Sequence, residues 1–539
     1  MEYLPFALAI ALAALYAQQP AADIILTNGK IITVDDRFSI AQAVAVRGER
    51  IVAVGTNQEI ARFAGPGTRR IDLRGKAVIP GLIDNHAHIM EEGAIWKQEL
   101  RLDGVETRKQ ALQWVRAKAA SVPAGAWVYT LGGWSIDQFT DDKRHFSREE
   151  LDQAAPNNPV LLQFTRSHTF LNSKAIQAIG IDAMKDAWIV RDPSGRPTGV
   201  IEAGGIAQVG RAIPEPPKDI FESGSMQMIH DLNRAGLTAS GGPCPAEFIP
   251  SFREWGRAGK LNLRFFCFLT AGGASTPQQV DALLPKIAQL KPFQGDLWVD
   301  ETAYGESVYQ PLHDNMLAPV TNPTPEQLLQ WRRVATEVAK AGLALHVHAT
   351  IENTITTFLD QIEWIDKQYP IRNLRWTLAH VDQINASHLE RMKKLGMYAA
   401  VHARPTIMGQ IFNRSHGDRS FDMPSLKLVQ DSGIVWGLGT DTFEVNQYRP
   451  FTTLWWAVTG KMVGGATVLR QTISREDALI AHTRKNAFLI FQENNLGSIQ
   501  AGKLADLVVL DRDYLTIPAD RIKDIQPVLT MAGGKIVYE

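Results

Sequence analysis

Cysteine is nearly absent: Cys244 and Cys267 are the only two in 539 residues. Two thiols cannot build a disulfide framework, and these lack the paired spacing of a thiolate zinc site, so a bound metal would rest on nitrogen and oxygen. Excess charge of either sign is missing too. With 56 Lys and Arg against 57 Asp and Glu, the net charge of -1 gives no electrostatic footprint for nucleic acid or an acidic polymer. Neither the G-x-G-x-x-G of a dinucleotide site nor the G-x-S-x-G of a serine hydrolase occurs. Cys244, in GGPCPAE, has no evident histidine partner in sequence, which leaves a cysteine hydrolase unsupported.

One apolar run near the start, Leu4 to Ala17, is too short to span a bilayer comfortably. With the small, polar, Pro-containing stretch after it, the run reads as a secretory signal over residues 1–22, although Glu2 precedes it and no Lys or Arg does. The expectation is export to a periplasm or beyond, without stable membrane association. If the segment is instead a plain apolar extension, the chain is cytoplasmic.

A chain of this length exceeds one ordinary core and suits a large domain with an accessory one. IILTNGKIITV and AVAVRGERIVAV read as hairpins turning at NG and RG, and RRIDLRGKAVIPGLID as another strand pair. The pattern returns only at the far end, in LGSIQAGKLADLVVLDRD and VLTMAGGKIVYE. Residues 23–79 and 491–539 are therefore expected to be the two parts of one small β-sandwich, with 80–490 set between them. In that body TPQQVDALLPKIAQL, TPEQLLQWRRVATEVAKAG and NASHLERMKKLG open with cap residues and keep apolar positions at helical spacing. They alternate with the apolar runs LRFFCFLTAGG, GDLWVDET, LALHVHAT, LRWTLAHVD, MYAAVHARP and IVWGLGTDT. The alternation predicts parallel βαβ units and an α/β fold, a (β/α)8 barrel of the TIM type. A doubly wound sheet is the alternative, disfavoured by the missing dinucleotide motif.

VIPGLIDNHAHIM, residues 78–90, ends an apolar strand in a glycine, an aspartate and two histidines. Alternate side chains of an extended segment share a face, so His86 and His88 present two imidazoles to one point. His348, His380 and Asp441 end later runs in the same way. A (β/α)8 barrel gathers such ends at one mouth, and four histidines with a carboxylate are a donor set for zinc or a similar divalent ion. Each residue alone has an ordinary reading, a buried histidine or, for Asp441, a helix cap. Their joint placement at strand ends selects a metal centre. His346 shares a face with His348 and is expected to be the decoy; His230, His313, His388, His416 and His482 read as structural or surface residues. Thirteen tryptophans allow an aromatic-lined pocket or plain core packing.

PGLIDNHAH, HVHA, LAH and GTD, in this order, resemble the metal-binding motifs of the amidohydrolase superfamily, and GSIQAGKLADLVVLDRD resembles its closing segment. SHTFLNSKA and DPSGRPTGVIEA resemble segments of the branch that contains N-substituted formamide deformylases. The resemblance covers nearly the whole chain after residue 23. It implies that His86 and His88 hold the more buried ion, that His348 and His380 serve a second ion or the substrate side, and that Asp441 touches metal and shuttles a proton. It also implies substrate contacts for Arg166, His168 and Asn172. One departure stands out: many relatives bridge two ions with a carboxylated lysine on the fourth strand, and GDLWVDETAYGESVY has no lysine. Asp300, Glu301 and Glu306 are the candidate replacements, with Glu306 taken as the metal ligand.

One or two divalent ions, zinc by expectation, are thus the implied cofactor. Such an ion lowers the pKa of a coordinated water from about 15.7 to roughly 7. Asp441 would accept the proton and return it to the leaving nitrogen, while His380 or His168 polarises a carbonyl. The implied reaction is hydrolysis of a non-peptide C–N bond, amide or formamide in type, in a small-molecule substrate. An ester, lactone or cyclic-amide hydrolase on the same scaffold and a non-catalytic metal-binding homologue are the alternatives, and assembly into a homo-oligomer is left open.

Overall fold

The computed structural model describes residues 21–539, so the apolar run expected to act as a leader lies outside the described residues. Eight strands form one parallel sheet in chain order: β1 Leu82–Asp84, β2 Leu237–Gly242, β3 Arg264–Leu269, β4 Val299–Glu306, β5 Leu345–Ala349, β6 Thr377–His380, β7 Tyr398–His402 and β8 Trp436–Gly439. This is a nearly closed (β/α)8 barrel, as the alternation predicts. Thr276, Thr324 and Asn385 cap the helices Pro277–Ile287, Pro325–Lys340 and Ala386–Leu395, each side chain accepting a backbone N–H three residues on. The apolar stripes of these helices, with Val280, Leu283, Trp331, Val334, Val338, Leu389 and Met392 buried, pack onto the barrel.

β2 escapes sequence reading because Leu-Thr-Ala-Ser-Gly-Gly is built from small residues of weak strand preference. The smallness has a structural cause. A Cβ on Gly242 would sit 2.3 Å from the Ala87 carbonyl oxygen, and one on Gly241 3.0 Å from that of Asn85. Both glycines let the turn that carries His86 press against the neighbouring strand. The remaining seam, between β8 and β1, is closed by side chains. The Asn486 amide donates to the Ile83 and Leu438 carbonyls at 2.5 and 2.7 Å, and Thr440 donates through its N–H and hydroxyl to Asp84. Just beyond, the Asp441 N–H donates to the His86 carbonyl and the His88 N–H to that of Thr442.

Two other sheets come from the chain ends. One holds residues 24–27, 43–47, 50–55 and 69–72; the other holds 30–32, 40–41, 77–80, 507–510, 527–532 and 535–538. The hairpin joining Ala43–Arg47 to Arg50–Gly55 forms as expected. The one expected at Asn28–Gly29 does not: Ile24–Thr27 joins the first sheet and Lys30–Ile32 the second, and the same split parts Arg69–Asp72 from Ala77–Pro80. Crossing between layers lets Leu26 and Ile31 both enter the core shared with Val44, Val78 and Leu507, and that burial outweighs the local turn preference. A five-stranded sheet spanning Val128–Glu202 is inserted between β1 and β2. Cys244 and Cys267, too few for a framework, nonetheless form one disulfide, because adjacent strands β2 and β3 bring their Cα atoms to 5.4 Å.

The barrel and the C-terminal strands are tied by a buried ion pair. Arg264 Nε and one terminal nitrogen donate to the two Asp506 oxygens, both at 3.0 Å, and the guanidinium lies 4.2 Å from the Trp298 ring. Asp506→Ala leaves that guanidinium buried and unpaired, which should cost about 3–5 kcal/mol, whereas Arg264→Met with Asp506→Leu should recover most of the loss. Denaturation of the single and double variants checks this; a single variant as stable as wild type contradicts it.

Candidate metal centre

Glu306, the last residue of β4, is the hub of the barrel mouth. Its Oε2 lies 3.1 Å from His86 Nε2, 3.4 Å from His380 Nε2 and 3.9 Å from His348 Nδ1, and its Oε1 lies 3.9 Å from His88 Nε2. Asp441 Oδ1 is 3.5 Å from His88 Nε2 and 3.7 Å from His86 Nε2. His86 Nε2, His380 Nε2 and Glu306 Oε2 are buried with no hydrogen-bond partner. Orphaned polar atoms in an interior are costly unless something shared satisfies them, and imidazole nitrogens with carboxylate oxygens are donors a divalent ion accepts. His86, His88 and Glu306 converge on one such point, and Glu306, His313 and His348 on another. The residues therefore fit one ion, with Glu306 placed between that position and a second.

The other two carboxylates in the same stretch point elsewhere. Asp300 Oδ1 accepts the N–H groups of Gly295 and Glu301 at 2.8 and 2.9 Å, and Glu301 pairs with Arg253 at 2.8 Å. Strand ends are also where the backbone is strained. His380 and Asp441 sit at φ 72 and 62, in the left-handed region that non-glycine residues rarely adopt.

Each histidine facing Glu306 from β1, β5 and β6 rests on a partner behind it. His86 Nδ1 lies 3.0 Å from His346 Nε2, His348 Nε2 lies 2.7 Å from Asp314 Oδ1, and His380 Nδ1 lies 2.6 Å from His402 Nδ1. Such partners hold a ring in orientation and tautomer. Asp314 is itself fixed by the N–H groups of Thr350 and Ile351. Arg404 donates to Asp441 Oδ2 at 3.4 Å and pairs closely with Asp382. His402, Asp314 and Arg404 were not singled out in the sequence. His402 ends β7, so the strand-end rule that selected His348 and His380 could have found it. His313, expected to be structural, lies in the cavity wall with its ring stacked 3.6 Å from His348.

Burial pushes the Glu306 carboxyl up, but the adjacent His86 and His88 outweigh it and hold the group well below the usual carboxylate range. Asp441 is likewise lowered: burial opposes ionisation, and the hydrogen bond from His88 and the charge of Arg404 favour it. Burial pushes His380 and His402 well down, Arg404 adding to both. Burial and the adjacent His348 take His313 down to about 4.

Above the ligands opens a cavity of about 540 Å³, walled by Glu92, Arg166, Met316, Phe443 and Glu444 among others. Arg166 stands at the rim, paired with Glu444 at 2.7 Å. His168 lies outside this wall, 2.8 Å from Ser167 Oγ with its ring against His145. Asn172 corrects the expectation of a substrate contact. Its Oδ1 accepts the N–H groups of Val160 and Ala175 at 2.9 Å, and its amide donates to Asn158 O at 2.9 Å, so it is a buried cap of the helix Ser173–Ile179 with no group left for a ligand. Trp134, Trp331, Trp376 and Trp456 are fully buried in core packing, Trp114 and Trp364 are exposed, and no tryptophan lines the cavity among the described residues.

A model of the Amidohydrolase family matches residues 69–538. The chain is 27% identical to the N-substituted formamide deformylase of Arthrobacter pascens, over 96% of this chain and 98% of that one. It is 24% identical to the putative amidohydrolase YtcJ of Bacillus subtilis, over 95% and 98% of the two chains. Among solved structures, an uncharacterized metal-dependent hydrolase from Pyrococcus furiosus superposes with a TM-score of 0.63 at 22% identity, covering 92% of this chain and 100% of the other, a likeness of fold. With the family model spanning most of the sequence and its motifs meeting at the barrel mouth, the chain belongs to the amidohydrolase family.

Proposed function

We propose that this chain is a metal-dependent hydrolase that cleaves a non-peptide C–N bond, amide or formamide in type, in a small molecule. The observation that carries the reading is the convergence of His86 Nε2, His380 Nε2 and Glu306 Oε2, all buried and unpartnered, beneath a cavity of about 540 Å³. Membership of the amidohydrolase family and the likeness to a protein named as a formamide deformylase support it. His86, His88, Glu306 and Asp441 would hold one divalent ion, with His348 and His380 across Glu306 available to another. When bound, such an ion, zinc by expectation, makes hydroxide accessible near neutral pH and polarises a carbonyl oxygen.

The chain's own groups supply the rest. Asp441, kept ionised by His88 and Arg404, accepts a proton from the attacking water and passes it to the leaving nitrogen. Arg404, anchored on Asp382, keeps the Asp441 carboxylate from swinging away from the floor. Arg166 and Glu444 at the rim face the distal part of the substrate. The Cys244–Cys267 disulfide supports an exported protein, since such bonds persist in oxidising compartments.

Dialysis against a chelator should abolish turnover of simple N-formyl and N-acyl substrates, and zinc should restore it. His86→Ala with His88→Ala should remove metal and activity while far-ultraviolet circular dichroism is retained; full rates in the metal-free double variant would sink the reading. Glu306→Gln should lower bound metal, measured by elemental analysis, while Asp300→Asn and Glu301→Gln should not. Asp441→Asn keeps shape and an oxygen but cannot take a proton, so kcat should fall by about 10²–10⁴ with much of the metal still bound. A helix cap would behave otherwise, because Asn caps as well as Asp, and rate and stability would both be unchanged.

A further inference from the structure

Asn486 donates its amide nitrogen to two main-chain carbonyls, those of Ile83 and Leu438. Carbonyls only accept, so this amide cannot be reversed and its Oδ1 must face Asn85. The Asn85 atom 2.7 Å from that oxygen must then be a donor, its Nδ2. Asn85 Oδ1 is left as the acceptor lying 3.1 Å from His402 Nε2. His402 therefore carries its proton on Nε2, and, buried without an ion pair among the described residues, it has no partner for a second proton and presents a lone pair on Nδ1. His380 Nδ1, 2.6 Å away, must donate into that lone pair. His380 thereby carries its proton on Nδ1, and its Nε2, buried without a hydrogen-bond partner 3.4 Å from Glu306 Oε2, is left as the bare nitrogen. Asn486, Asn85, His402 and His380 are all buried, so no solvent molecule intervenes to reverse the order.

We propose that this chain of hydrogen bonds, running from the barrel seam at Asn486 through Asn85 and His402, sets the tautomer of His380 and so makes its Nε2 a metal ligand. It rests on the metal-dependent reading above and adds Asn85 and His402 as positioning residues. A competing arrangement would make His402 itself a ligand, since its Nδ1, His380 Nδ1 and Asp441 Oδ2 lie near one another. Two nitrogens each about 2.0–2.1 Å from a tetrahedral zinc stand more than about 3 Å apart. The 2.6 Å separation is shorter than that and leaves room for one shared proton between the two nitrogens.

The test compares His402→Gln with His402→Phe. Glutamine presents an oxygen and a nitrogen side by side, so it can accept from His380 and donate to Asn85; phenylalanine keeps the ring and does neither. Asn85→Leu removes the acceptor that orients His402 and stands in should the Phe variant not fold. Zinc affinity is read by titration with a competing chelator, the visible absorption of the cobalt-loaded protein reports its coordination, and melting temperature monitors the fold. His402→Gln should keep wild-type zinc affinity and the cobalt spectrum. His402→Phe and Asn85→Leu should lose about 10–100-fold in affinity, as outer partners of metal ligands do. A Phe variant that binds as tightly as wild type, or a folded Gln variant as weak as Phe, overturns the relay and leaves His402 a packing residue. Wild-type protein that takes up neither metal overturns both this inference and the functional reading, whereas metal uptake without hydrolysis overturns the function alone.

Discussion

Glu306 carries an ionised carboxylate on a side chain only 14% exposed, and among the described residues no Lys or Arg forms an ion pair with it. Asp441, Asp314 and Asp382 are buried around the same floor, where Arg404 is shared between Asp382 and Asp441. Burial opposes protonation of His88 and His348, yet Asp441 and Glu91 lift the first above the usual imidazole range and Asp314 and Glu306 lift the second. A buried ion without compensation costs several kcal/mol even after relaxation. The floor thus gathers buried carboxylates and nitrogen donors at one place, and a divalent ion is a single partner that satisfies both. That requirement explains why so much polar chemistry sits in the interior of a barrel whose other layers are Val, Leu, Ile and Phe.

Parallel strands meet the requirement by geometry. Every strand of such a barrel delivers its last residue to the same rim, so β4, β5, β6 and β7 can each contribute a group without any of them bending far. β1 and β8 contribute from the turns after their strands, at His86, His88 and Asp441. Those turns need close backbone approach. The glycines of β2 allow it on one side, and the left-handed conformation of Asp441 provides it on the other, steadied by the hydrogen bond from its own N–H to the His86 carbonyl.

The parts legible in the sequence were those whose physics is local. Cap residues, helical spacing and apolar runs located six of the barrel strands and three of their helices, and period-two alternation was enough to pair His86 with His88. Strand-end position then reached His348, His380 and Asp441. What stayed hidden depended on register or on distance. Three carboxylates crowd β4 and its run-in, and nothing local says that Asp300 folds back onto the Gly295 amide while Glu306 reaches the mouth. Asp314 and His313 lie in a loop whose path is set by Thr350 and Ile351. The disulfide depends on β2 lying beside β3, and β2 itself was masked by its small residues. Asn172 shows the reverse case. Resemblance assigned it to substrate, although an Asn directly before a helical segment already carries the chemistry of a cap, and the cap is what forms.

Ligand and support are separated in this molecule in a consistent way. The residues that would touch metal come from strand ends and the turns after them, while of the groups that hold them His346 lies one layer deeper in β5, Asp314 in a loop, His402 at the end of β7 and Asn85 in the turn beside His86. Asn486 belongs to neither group, yet it reaches the centre through three hydrogen bonds in series and closes the seam between β8 and β1 with the same amide. A disturbance at the seam is therefore transmitted as a change in which nitrogen of His380 is bare, without any displacement of the ring. Barrel closure and ligand readiness share one side chain, so the site cannot be complete in a chain whose first and last barrel strands have not met. Folding and metal affinity are coupled on that account, the donors becoming competent only as the native seam forms.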